Sequence, residues 1–99
     1  MSDEISLARD AARGARAKAL LENELLVEAF EALEKEYTAA WRSTGARDSE
    51  AREKLYLAVN IVGKVREHLN YVINNGKLAQ AELDKIRVDA ERKKRFGII

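Results

Sequence analysis

Few residues of this chain have the types and spacing that metal chemistry requires. His68 is the single histidine and cysteine is absent, so the usual zinc and thiolate ligand sets cannot be assembled. Glu67 is adjacent to His68, but neighbouring residues face different sides of a helix. We therefore predict that His68 lies on a partly exposed helix face, and that the chain has no metal site and no cofactor.

Carboxylates and hydroxyls offer little more for catalysis. Glutamates are concentrated between residues 22 and 36, but a di-iron site would need Glu-x-x-His pairs facing a helical core, and the sequence has none. Ser43, Thr44 and Ser49 lack a positioned base, and a turn explains their presence. The five glycines are isolated and form no phosphate-binding loop. We predict that the protein is not an enzyme.

Two features near residue 95 could bind a macromolecule. The first is a basic run formed by Arg92, Lys93, Lys94 and Arg95. It could contact nucleic-acid phosphates, but it could also stay solvated or dock on an acidic helix of another copy, which the net charge of +1 favours. The second is an apolar group formed by Phe96, Ile98 and Ile99. It is either a disordered end or a docking peptide.

Composition predicts an all-α protein. The charged fraction of 35% is high against an average of about 25%, and proline is absent. A sequence with few breakers and much Ala, Leu, Glu, Lys and Arg is typical of long helices. No segment approaches the roughly 20 apolar residues of a membrane span, and residues 1–4 lack an apolar signal core. We therefore expect an intracellular protein with no membrane partner.

The pattern between Leu26 and Val72 indicates two amphipathic helices that pack together. Apolar residues alternate in steps of three and four, the spacing of helix seams. The first seam is Leu26, Phe30, Leu33, Tyr37 and Ala40. The second seam is Leu55, Ala58, Val62, Val65, Leu69 and Val72. A short linker, with Gly45 expected in the left-handed region and Asp48 as N-cap, implies an antiparallel hairpin over residues 23–76.

An N-terminal arm is predicted over residues 1–22, with Ser2 or Asp3 as its cap. Its expected inward face is Ile5, Ala8, Ala12, Ala15 and Ala19. These side chains are mostly methyl groups, and Gly14 should weaken the helix by about 1 kcal/mol. An interruption is expected near Asn23, which could cap the next helix.

A short C-terminal helix and tail are predicted over residues 77–99. Asn74-Asn75-Gly76 is a helix stop signal in which Gly76 should be left-handed. A weaker helix is then expected to begin at Lys77 and to lead into the basic run.

The second hairpin helix has more apolar surface than one neighbour can cover. Beside its seam lie Leu57, Val59, Ile61, Tyr71 and Ile73. We expect this set to form an interface covered by the arm or by another copy, and therefore a homo-oligomer. Trp41 is expected to cover one end of the hairpin, and Gly63 to admit a close neighbour.

Several stretches resemble small helical proteins of tailed bacteriophages and prophages, encoded among head and DNA-packaging genes. They are residues 11–17, 20–23, 41–48, 63–66 and 76–79. The resemblance covers about residues 11–80 and implies a virion-assembly or packaging accessory, one version being a small-terminase-like ring protein. It implies further copies and other phage structural or packaging proteins as partners, and the bacterial host cytoplasm or the virion as location.

Three functions remain open at this point. The first is a non-enzymatic helical oligomerisation protein for phage assembly or packaging, which the excess apolar surface favours. The second is a nucleic-acid-binding accessory that acts through the basic run. The third is a small phage-encoded inhibitor of a host protein, which fits the size of the chain and its lack of chemistry.

Overall fold

The structure, a computed structural model, describes residues 3–97. Its elements are α1 (Glu4–Glu22), α2 (Glu24–Ser43) and α3 (Ser49–Arg95). Residues 3–97 contain no β-strand, so the all-α prediction is confirmed. Two compact units are present: one draws on residues 3–18 and 70–97, the other on residues 19–69. Ser2, Ile98 and Ile99, which carry predictions above, lie outside the described residues.

All three helices begin at a side-chain cap. The Oδ1 atoms of Asp3, Asn23 and Asp48 accept hydrogen bonds from first-turn backbone N–H groups at 3.0, 3.1 and 3.2 Å. Each cap satisfies one of the donors that a first helical turn leaves unpaired. Asn23 has an extended backbone, with φ −70° and ψ 119°, so α1 and α2 are separate helices. The predicted interruption at Asn23 and the predicted cap at Asp48 are confirmed.

Helix α2 ends by a different device from the one predicted. The N–H and Oγ1 of Thr44 both donate to the Trp41 carbonyl, at 3.3 and 2.7 Å. These two bonds satisfy one of the carbonyls that the last turn leaves unpaired, and Thr44 itself is extended, with φ −68° and ψ 141°. Among residues 3–97 the only positive φ belongs to Gly97. The prediction of a left-handed Gly45 is therefore wrong.

Helix α3 runs without a break through Asn74, Asn75 and Gly76. The predicted stop, the left-handed Gly76 and the separate helix from Lys77 are therefore wrong, and residues 76 and 77 mark no helix boundary. Gly76 is buried against α1, and this packing outweighs its low helix propensity of about 1 kcal/mol. The alternation of the second seam in fact continues past Val72, at Gly76, Ala79, Leu83 and Ile86.

In the first unit, α1 packs on α3 through two glycines. A Cβ added to Gly14 would lie 2.7 Å from the Gly76 Cα and 3.2 Å from the Val72 carbonyl oxygen. A Cβ added to Gly76 would likewise lie 2.7 Å from the Gly14 Cα. Ala17 and Ala79, one turn further along each helix, are buried. The contact is therefore made by backbone and methyl groups, whose dispersion energy depends on close approach.

The buried face of α1 is not the predicted one. Every residue of the predicted face, from Ile5 to Ala19, is exposed. The buried and half-buried positions of α1 are Ser6, Leu7, Asp10, Ala11, Gly14, Ala17 and Leu21. The prediction counted apolar side chains and treated Gly14 as a penalty. Because the two backbones touch, the glycine determines which face turns inward.

In the second unit, α2 contacts the first half of α3 through Phe30, which is 9% exposed. The Arg66 guanidinium carbon lies 5.0 Å from the Phe30 ring centroid, and its Nη1 lies 3.0 Å from Glu34 Oε1. Towards the turn, the Arg52 guanidinium carbon lies 4.9 Å from the Trp41 ring centroid. Phe30, in the first half of α2, therefore contacts a residue further along α3, whereas Trp41, near the end of α2, contacts a residue close to the start of α3. The two helices run in opposite directions at these contacts. The predicted core position of Phe30 is confirmed.

We expect Gly14→Ala and Gly76→Ala each to weaken the packing of α1 on α3 by about 1–3 kcal/mol, because the added Cβ would overlap backbone atoms. Hydrogen exchange of α1 amides and urea unfolding measure this loss. Unchanged α1 protection in both variants would show that the backbones do not touch.

Gly63 is a matched control for these substitutions. It lies inside α3, but an added Cβ meets nothing within 4 Å, so the expectation of a close neighbour at Gly63 is wrong. Gly63→Ala should raise stability by about 0.5–1 kcal/mol, since alanine loses less backbone entropy. A loss comparable to that of the Gly14 variant would instead indicate a general intolerance of alanine in these helices.

Phe30→Ala should lower the free energy of unfolding by about 3–5 kcal/mol, because it removes the one large buried ring among the described residues. Phe96→Ala is the control: its ring is 66% exposed, so the change should stay within about 0.5 kcal/mol. Urea titration followed by circular dichroism gives both values. Equal effects of the two substitutions would place Phe30 outside the core.

Candidate partner-binding surfaces

The polar side chains that could do chemistry are dispersed or have structural roles. Within residues 3–97, no group of three or more His, Cys, Asp and Glu residues could hold a metal ion. His68 is exposed on α3. The Ser43 hydroxyl donates to the Ala40 carbonyl at 3.1 Å, and the Thr44 hydroxyl bonds the Trp41 carbonyl. Both hydroxyls therefore serve the end of α2.

Apolar side chains provide a stronger candidate for function. Buried hydrophobic residues among the described part of the chain are Ala17, Phe30 and Ala79, and only one of these is large. Many large apolar residues remain exposed on both units. None of the described helices has both the length and the apolar character needed to cross a bilayer.

The five predicted interface residues are divided between the two units. Leu57 and Ile61 are 51% and 60% exposed in the second unit, whereas Val59 is half-buried there. Tyr71, which is exposed, and Ile73, which is half-buried, belong to the first unit.

Leu33 and Val65 were assigned by their spacing to the seams. They nevertheless keep 38% and 48% of their surface accessible. Seam spacing identifies residues that face a neighbouring helix, but it does not show how completely that neighbour covers them. Sequence reasoning therefore missed both residues as surface candidates, although a hairpin of only two helices gives a reason to suspect incomplete coverage.

One side of the second unit carries a small apolar pocket of about 240 Å³. It is lined by Thr38, Trp41, Tyr56 and Val59. Its volume lies below the roughly 300–1,000 Å³ of typical ligand sites. Arg52 lies over the Trp41 ring, and its Nη1 donates to Thr44 Oγ1 at 3.1 Å. The residues on this side therefore stabilise the packing of α2 on α3 and do not form a typical ligand site.

The opposite side carries two apolar ridges, each with residues four positions apart. The α2 ridge is Leu25, Ala29 and Leu33, and the α3 ridge is Leu57, Ile61 and Val65. At about 100° per residue, the middle of the α2 ridge lies roughly 150° around its helix from the mean direction of Thr38 and Trp41. The middle of the α3 ridge lies roughly 170° from the mean direction of Tyr56 and Val59. Both ridges therefore face away from the pocket, and we call these six residues the open face.

Leu33 and Val65 lie near the middle of the open face. The Arg66 contacts with Phe30 and Glu34 bring this part of α2 to the level of Val65 on α3. Because the helices pass in opposite directions at these contacts, Leu25 and Leu57 lie towards opposite ends. The open face is thus an elongated band rather than a cup, a shape suited to another helical surface.

The basic run forms the last turn of α3, where all four side chains are exposed. Carbonyl groups at a helix C-terminus carry partial negative charge, so cations are stabilising there. This local role accounts for Arg92, Lys93, Lys94 and Arg95 without a nucleic acid. Phe96, from the predicted docking tail, is exposed immediately after them.

No protein-family model, curated protein or solved structure matches this chain. The resemblance to tailed-phage proteins therefore rests on the quoted residues. The exposed surfaces of the two units are the structural basis for a functional proposal.

Arg52→Ala should lower the free energy of unfolding by about 1 kcal/mol, because one stacking contact and one hydrogen bond are lost. It should also shift the emission of Trp41, the single tryptophan, to longer wavelength. Lys54→Ala is the control, since Lys54 pairs with Glu50 at 3.2 Å on an exposed helix face and should contribute less than about 0.5 kcal/mol. Identical spectra for wild type and Arg52→Ala would contradict the stacking.

Proposed function

We propose that this protein is a non-enzymatic helical interaction protein that works by self-association. The proposal rests on one observation: few large hydrophobic residues are buried, and many are exposed. Phe30 is the one large hydrophobic residue that is buried among the described residues, whereas Leu25, Leu57 and Ile61 are mostly exposed. Burying apolar surface yields about 25 cal/mol per Å², so association that covers such residues is favourable.

In this proposal α2 and the first half of α3 act as an antiparallel hairpin. The Phe30–Arg66 and Trp41–Arg52 contacts support that arrangement. A small single core rarely yields more than about 3–5 kcal/mol, and a two-helix unit forms only one side of a layered core. A partner subunit would supply the missing layer, as in helix bundles built from two hairpins.

We extend the proposal to a task in the assembly of a tailed-phage particle or in DNA packaging. The support for this step is the resemblance of residues 11–80 to small proteins of the head and packaging region. A small-terminase-like ring would use helix contacts between copies, and it would meet other phage structural or packaging proteins. Its location would be the bacterial host cytoplasm or the virion.

A second candidate function is nucleic-acid binding by the basic run. Arg92, Lys93, Lys94 and Arg95 are consecutive and exposed, so at about 100° per residue they point to all sides of the helix end. Such an array can contact phosphates without reading sequence. The helix-end role described above weakens this candidate, because it requires no ligand.

Self-association can be tested by sedimentation velocity or mass photometry of the full chain at micromolar concentration. We expect a defined oligomer whose population falls on dilution, because apolar burial drives it. Raising the salt concentration should not dissociate it, in contrast to an assembly held by exposed charges. A strict monomer across the concentration series would refute the proposed function.

Nucleic-acid binding can be tested with a variant in which residues 92–95 are all alanine. If the second candidate is correct, wild type binds duplex DNA with a steep salt dependence and this variant loses that binding. A matched control replaces four exposed cations of α1, namely Arg9, Arg13, Arg16 and Lys18, and thus keeps the same net charge. Equal loss in both variants would indicate non-specific attraction, and unchanged binding in the first would exclude the basic run.

A further inference from the structure

We infer that the open face of the second unit binds the open face of a second copy of this chain, around a two-fold axis near Leu33 and Val65. This inference rests on the proposed function and names the surface and the partner. The two contributing ridges, on α2 and α3, both have four-residue spacing. Ridges of that spacing interdigitate in the commonest class of helix packing in globular proteins.

The partial exposure of Leu33 and Val65 is the first support for this surface. Both occupy seam positions, so part of each side chain turns towards the neighbouring helix, yet 38% and 48% of their surface stays accessible. A second layer on the open face would cover the remainder. The contact between copies would then join the two α2–α3 pairs into one core of two packed layers.

The area of the open face is the second support. From the exposed fractions of its five large residues, and with Ala29 exposed as well, the open face presents on the order of 500 Å² to solvent. A stable interface typically buries about 800 Å² per partner, of which about 65% is apolar in homodimers. The open face therefore supplies the apolar share that one subunit of a dimer needs, and polar neighbours would supply the rest.

Charge at the rim of the open face is the third support. Glu36 on α2 and Lys64 on α3 are both exposed at its edge. When α2 of one copy lies across α3 of the other, these opposite charges approach one another in both symmetry-related positions. A two-fold interface is self-complementary in this way, whereas stacking α2 on α2 would bring like charges together.

Leu57→Asp tests the surface, and Leu78→Asp provides a matched control. Leu57 is in the open face, whereas Leu78 lies on α3 in the first unit and is 71% exposed. Leu57→Asp should raise the dissociation constant of the dimer at least tenfold, and Leu78→Asp should leave it within twofold. Analytical ultracentrifugation measures both constants, and circular dichroism checks that helicity is retained.

Disulfide cross-linking tests the two-fold axis, independently of any loss of folding. The chain contains no cysteine, so a single introduced thiol has no competing partner within its own copy. Leu33→Cys and Val65→Cys copies, mixed in equal amounts, should form a covalent heterodimer on mild oxidation, because Leu33 on α2 of one copy then faces Val65 on α3 of the other. Tyr56→Cys, exposed on the pocket side, should remain monomeric on a denaturing gel.

The outcomes separate this inference from the proposed function. An oligomer that resists Leu57→Asp, or that cross-links through Tyr56→Cys but not in the mixture of Leu33→Cys and Val65→Cys, would overturn the open face and leave self-association intact. A wild-type monomer would overturn both. Dissociation by Leu57→Asp together with cross-linking between Leu33→Cys and Val65→Cys would support both.

Discussion

No large side chain is fully buried anywhere among residues 3–97, and this constraint shapes each helix contact in the molecule. A protein core normally gains most of its free energy from large apolar groups removed from water. Here the helices pack together with less buried apolar surface. The first unit brings two backbones together at Gly14 and Gly76, and the second uses the aromatic rings of Phe30 and Trp41 with arginines laid over them.

The arginine contacts show how a thin core can still have a defined geometry. Arg66 covers the Phe30 ring and also pairs with Glu34, while Arg52 covers Trp41 and bonds Thr44. The aliphatic stem of an arginine covers apolar surface while its planar head keeps polar partners. Such contacts align two helices, but they shield only one side of them. The apolar residues on the other side remain exposed, and the proposed self-association arises from this asymmetry.

Much of the architecture could be predicted from local signals. Asn23 and Asp48 combine cap chemistry with a following helical pattern, and both begin helices as expected. The seam spacing identified Phe30 as a core residue. The candidate surface was harder to predict: Leu57 and Ile61 were recognised because they lie beside the seam, whereas Leu33 and Val65 were missed because spacing does not report coverage.

The sequence by itself determined the helical class and the helix starts, because caps and breakers act over a few residues. Tertiary structure alone decided the roles of Gly14 and Gly76. By local rules Gly14 destabilises a helix and Gly76 is a helix stop signal. Each forms a helix contact only because the backbone of the other helix approaches it closely. The continuity of α3 and the inward face of α1 depend on that contact, since packing between distant segments outweighs local preference.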